Sequence, residues 1–275
     1  MAKSAVSLSF YWDGKVIMRK SAVVLPLAAL VTGAAGFFLR RAELETAFEP
    51  SGFAVPGDSR TIALMALAAA VIILSAVAGF MISKRYQAAP KFERAYRTGG
   101  VTFFLGFLTG LAFIAGAALY LFEHLTYGSA GLFQYVFTAL SALSGFSLIL
   151  LAYAAFTGRF SGGLSYLSVF PTLFFCLWLI IIYRDNAANP VVLSYAYRIV
   201  AACSSAFLYY IAAGYAFGKP YPGKTAFGHL VTVYFCAVVQ ADPLPLWMRL
   251  FFGASLAFAL FMGVRYFKNL SKKDA

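Results

Sequence analysis

The chain has 275 residues, of which 62% are hydrophobic and 12% charged, and its net charge is +12. A soluble domain carries about half apolar and a quarter charged residues. This composition therefore excludes a soluble enzyme, a secreted disulfide scaffold and a disordered regulator, and the 29 phenylalanines are more than a small aqueous core could hide. The expected fold class is all-α: a polytopic membrane protein.

The segment 5–20 mixes Phe10, Tyr11 and Trp12 with Lys15, Arg19 and Lys20. It reads as an interfacial, cytoplasmic N-terminal segment rather than a cleaved signal, because the apolar run after it ends in Arg40 and Arg41 and not at a small-residue cleavage site. A bilayer core needs about 20 apolar residues in helix. Eight runs approach or meet that length: 21–39, 62–83, 101–122, 131–156, 166–183, 191–217, 227–241 and 246–267. They are continuous rather than alternating, which favours helices over a barrel. The seventh is the shortest and is stopped by Pro243 and Pro245. A single integral domain over 1–275 is expected, with an outer loop at 40–61 and a basic cytoplasmic loop at 84–100.

Orientation follows from the cations. Sixteen Lys and Arg fall on the side that holds both chain ends, among them Lys84, Arg85, Lys91, Arg94, Arg97, Lys224 and Lys273. Only Arg40, Arg41, Arg60 and Arg184 fall on the other, with Arg198 and Arg249 inside runs. The positive-inside rule puts both termini in the cytoplasm, and it accounts for the charge without nucleic acid. The acids Glu43, Glu45, Glu49, Glu123, Asp185 and Asp242 all fall outside.

Small residues mark close helix contacts in lipid. Gly106 with Gly110, Ser141 with Gly145, and Gly253 with Ala257 have the four-residue spacing. The inner ends of the fourth and sixth runs also resemble each other, in Tyr153 to Arg159 and Tyr215 to Lys219, as a duplicated hairpin would.

An ionisable residue within a membrane span raises a functional question. Arg198 lies seven residues into the sixth run, about 10 Å at the helical rise, on a face with Ser194, Tyr195 and Tyr209. One reading has it bind a small anionic solute in an outward pocket, where its planar fork suits carboxylate or phosphate. The other pairs it with Asp185, Glu123 or Asp242, or lets it reach the interface. The polar turn with Asp185, Asn186, Asn189 and Pro190, together with Glu123 and Asp242, would shape the mouth of such a pocket.

Cys176, Cys203 and Cys236 lie mid-span without a CxxC or a histidine partner, and read as packing residues. No nucleotide, metalloprotease or nucleophile-elbow motif occurs, so no cofactor and no metal are expected. The string from Trp178 to Val191, WLIIIYRDNAANPV, resembles a bacterial family of multi-pass membrane proteins without assigned activity. The likeness covers 171–242 and implies a bacterial plasma membrane, with no site residue to carry over. The leading functional expectation is a transporter or permease-like component. The alternative is a structural subunit that docks a membrane partner or anionic lipid at Lys84, Arg85, Lys91, Arg94 and Arg97. A membrane enzyme acting on lipid-linked substrates is third, and no catalytic residue stands out.

Overall fold

The computed structural model describes residues 21–49, 53–128 and 131–273; the segment read as interfacial, 5–20, lies outside them. In chain order the elements are α1 (Ser21–Thr46), α2 (Ser59–Arg85), β1 (Tyr86–Gln87), α3 (Phe92–Ala95), α4 (Gly100–Thr126), α5 (Leu132–Thr157), α6 (Gly162–Leu167), α7 (Phe170–Asp185), α8 (Ala196–Ala216), α9 (Pro222–Val238), α10 (Leu246–Lys268) and β2 (Ser271–Lys272). Seven helical runs are long and apolar enough to cross a membrane: α1, α2, α4, α5, the joined α6–α7 stretch, α8 and α10. Their outer faces carry large apolar side chains in the open, such as Ile62, Met65, Ile73 and Leu74 on α2. Bands of this kind on helix after helix need lipid rather than water. The chain is a multi-pass membrane protein.

The seventh apolar run of the sequence forms α9, which at 17 residues is not among those seven. It is enclosed by protein instead, packed on by α1, α2, α8 and α10, and every residue from Gly228 to Val238 is buried. Its run is apolar because its neighbours are helices. It still passes from one end of the bundle to the other. α1 runs parallel to it, with Gly33 against Tyr234 and Ala237 and Gly36 against Val238, while Arg40 meets Asp242. α2 returns, so that Gly79 lies against Gly223 near the start of α9. Strand β1 after α2 pairs antiparallel with β2 after α10, Tyr86 opposite Lys272. The described chain thus begins and ends at one end of the bundle. That end, rich in Lys and Arg, is the basic end; the other, with Glu43, Asp185 and Asp242, is the acidic end.

Three further boundaries differ from the sequence reading. α1 continues past Leu39 to Thr46, so Arg40 lies within the helix and the first loop is shorter than 40–61. A 3-10 turn, Val192–Ser194, precedes α8. Asn189–Pro190 restricts the backbone there, and Arg198 therefore sits in the first turn of α8 rather than about two turns in. The basic loop does not hang free: Phe92, Ala95 and Tyr96 of its α3 segment are buried beneath the bundle.

Close helix contacts fall where two of the three small-residue pairs predicted. A Cβ on Gly110 would lie 2.5 Å from the Gly145 carbonyl oxygen, and one on Gly145 would lie 2.6 Å from that of Gly110. Gly106 packs on Ala152 in the same α4–α5 seam. Gly253 and Ala257 are only half-buried. The two hairpins noted for their likeness both turn on a glycine of positive φ, Gly158 and Gly218, each at 71°, where a residue with a Cβ would be strained.

Aromatic rings fill the space between α4, α5, α7 and α10. Phe174 sits 4.8 Å from Phe251 and 5.1 Å from Phe137, and Trp178 stacks on Phe252 at 4.5 Å between centroids. At the basic end the core holds a hydrogen-bonded polar pair. His229 Nδ1 donates to the Ala259 carbonyl at 2.8 Å, which leaves Nε2 to accept from the Tyr96 hydroxyl at 3.2 Å. Burial holds the Tyr96 phenol well above its ordinary range, so it remains a donor. Tyr96→Phe is expected to strand a buried ring nitrogen, at a cost of about 1–3 kcal/mol. Thermal melts in detergent would register this, and a midpoint equal to that of the parent would contradict it.

Candidate functional site

The acidic end of α1, the first turn of α8 and the turn after α9 bring together four charged side chains. Asp242 is fully buried and uses both carboxylate oxygens: Oδ1 accepts from Arg40 Nε at 2.8 Å and Oδ2 from Arg198 Nε at 3.1 Å. It thereby joins α1 to α8 from the end of α9. Arg40, also fully buried, spends its remaining nitrogens on Glu43 Oε2 at 2.7 Å and on the Ser194 carbonyl at 3.1 Å. Its guanidinium carbon lies 4.9 Å from the centre of the Tyr197 ring. Each of its three nitrogens meets a different acceptor, which fixes the plane of the guanidinium.

Two groups in this cluster are not used up. Glu43 Oε1 is buried without a hydrogen-bond partner. Arg198 engages Asp242 through Nε alone, and its side chain is 22% exposed. Its two terminal nitrogens have no protein partner among the described residues. The chain leading into Arg198 is fixed from behind. Asn189 Nδ2 donates to Ser194 Oγ at 3.0 Å, and Asn189 Oδ1 accepts from the Val191 amide at 3.0 Å. Tyr195 is buried, and its carbonyl receives the Arg198 amide. Two guanidinium groups and two carboxylates make the cluster neutral, with one cationic fork half-free at its rim.

The structure divides the residues that the sequence singled out. Arg198, Asp242, Ser194 and Asn189 belong to one hydrogen-bonded group, with Tyr195 beside it. Asp185 instead pairs with Arg184 at 3.0 Å, exposed at the end of α7, and Asn186 Nδ2 closes that helix on the Ile182 carbonyl. Glu123 lines a separate groove with Leu119, Phe122 and Trp247. Tyr209 lies deep in the bundle, stacked 5.6 Å from Phe175, its hydroxyl 3.3 Å from Ser255 Oγ. Arg40, Glu43 and Tyr197 were missed. The signal for the first two was the helical spacing of Arg40 with Glu43 and of Arg41 with Glu45, which carries the helix past the last apolar residue.

Cys176 and Cys203 are exposed, while the buried Cys236 has its sulfur 3.3 Å from Ser205 Oγ. Among the described residues no three His, Cys, Asp or Glu side chains converge as metal ligands. Comparison with protein families, with curated proteins and with solved structures gives no match to this chain.

Proposed function

We propose that the protein is a solute-handling membrane component, a transporter or permease-like binding subunit, in a bacterial plasma membrane. It crosses the bilayer eight times with α9 counted, with the basic end and both termini cytoplasmic and the acidic end outside. The excess of cations at one end supports that orientation. The observation that carries the functional reading is the half-engaged fork of Arg198. Its Nε is locked to a buried carboxylate while the terminal nitrogens stay open. A small carboxylate or phosphate fits that pair of donors bidentately, and Asp242 fixes the angle at which they are presented. Asn189 and Ser194 hold the turn that frames the mouth.

The test is a solute-dependent signal in proteoliposomes offered a panel of small carboxylates and phosphates. Arg198→Ala removes the charge, and Arg198→Lys keeps the charge but not the planar fork. Both are expected to abolish the signal. Wild-type signal in both variants, with melting unchanged, would overturn this reading and favour a structural subunit.

A further inference from the structure

A cleft opens at the basic end between α2 and the start of α9. Its floor is the backbone contact of Gly79 with Gly223, where a Cβ on either residue would come within 2.6 Å of the other's carbonyl oxygen. Ala76, Phe80, Ser83 and Phe227 line the walls around a space of about 390 Å³, and most of that lining is apolar. The neighbouring face of α2 is exposed and apolar at Ile73, Leu74, Val77 and Met81, so the cleft is reached sideways from lipid.

Its mouth is cationic. Lys224 belongs to the lining itself. The Nζ of Lys84 sits 4.5 Å from the centre of the Phe80 ring, and Lys273 Nζ donates to the Ser83 carbonyl at 2.8 Å. The β1–β2 pair holds the last of these in place, with the Lys273 amide bonded to the Arg85 carbonyl. Among the described residues no carboxylate pairs with them: the ion pairs lie at the acidic end, and Glu93 is the one described acid at the basic end.

We infer that this cleft is a binding site for one anionic glycerophospholipid of the adjoining leaflet. An acyl chain lies between Phe80 and Phe227, and the phosphate rests among Lys84, Lys224 and Lys273. Charge complementarity selects an anion, and the apolar walls opening toward lipid select one with a hydrocarbon tail. The site is separate from the Arg198 cluster, at the other end of the bundle.

The full chain, reconstituted in nanodiscs of mixed phosphatidylglycerol and phosphatidylcholine, is released into the gas phase and its retained lipids are weighed. One phosphatidylglycerol is expected in preference to phosphatidylcholine. Each lysine near a membrane surface contributes about fivefold to anion affinity. Lys84→Gln, Lys224→Gln and Lys273→Gln combined should therefore weaken retention about a hundredfold. Ala76→Trp, which fills the wall and leaves the lysines intact, should displace the lipid as well. Arg94→Gln with Arg159→Gln, basic residues away from the cleft, should leave it bound. Equal retention of both lipids would overturn the site, and so would full retention in the triple lysine variant. Equal loss in the Arg94 and Arg159 variant would reduce it to diffuse surface attraction and overturn it too. If the tryptophan variant does not fold, the lysine variants decide the matter.

Discussion

Arg40→Ala is expected to destabilise the fold more than any other single substitution at a charged position. The arginine is wholly buried and makes three hydrogen bonds to Asp242, Glu43 and Ser194. Without it, two carboxylates lose their nearest positive charge inside protein. Glu43 already has one oxygen without a partner and would then have two. Breaking a buried pair by removing one member costs about 3–5 kcal/mol, because the charge left behind cannot be hydrated. Domain stabilities are themselves only about 5–15 kcal/mol. The adjacent arginine supplies the comparison. Arg41 pairs with Glu45 at 3.6 Å with both side chains about two-thirds exposed, and an exposed pair of this kind contributes about 0–1 kcal/mol. Melting in detergent should separate the two neighbours sharply, with Arg41→Ala close to the parent. Coincident melting curves for Arg40→Ala and Arg41→Ala would show that the buried cluster does not hold the acidic end together.

Gly145→Leu is the second large effect. A Cβ at this position already meets the Gly110 carbonyl oxygen at 2.6 Å, Ile114 Cγ1 at 2.8 Å and Phe113 Cβ at 3.0 Å. The nearest of these is backbone, which no rotamer change can move. α4 and α5 would have to separate, carrying Phe113 away from Phe251 and Phe174, at 5.3 and 5.6 Å between ring centres. Overpacking a tight core costs about 1–3 kcal/mol and occasionally more; loss of the aromatic contacts puts this variant at or above the top of that range. Gly253→Leu, from a motif of the same spacing, has as its nearest neighbour the side-chain nitrogen of Gln240 at 3.7 Å, and should melt near the parent. If Gly145→Leu melts with Gly253→Leu, the seam between α4 and α5 is looser than its geometry implies.

The contrast between those two glycines shows what was legible in the amino-acid order. Spacing alone marked both pairs, and only packing tells which one faces a helix. The same ambiguity hid the place of α9. An apolar run answers equally to lipid and to protein neighbours, since both are hydrocarbon. The small and polar residues Thr225, Gly228, His229 and Thr232, all buried, were the hint that this run is surrounded by helices. Seven of the eight long runs and the division of charge between the two ends of the bundle followed from hydropathy and the cations. Asp242 was one of three acids weighed as a partner for Arg198, and the fold selects it. The depth of Arg198 was misjudged because the run from 191 begins with a turn rather than a helix. In the sequence Arg40 reads as the first residue of a loop, because charge after a long apolar run usually marks the lipid boundary. Here one of the two counter-charges that let it stay inside is Glu43, three residues on, and the other comes from 202 positions further along.

That separation bears on how the molecule is made. Synthesis delivers α1 first, with its guanidinium beside Glu43, and Asp242 leaves the ribosome only after α9 is complete. For most of translation the first helix carries a compensated pair whose second acid does not yet exist. The contact that joins α1 to the end of α9 can therefore form only once α9 has been made.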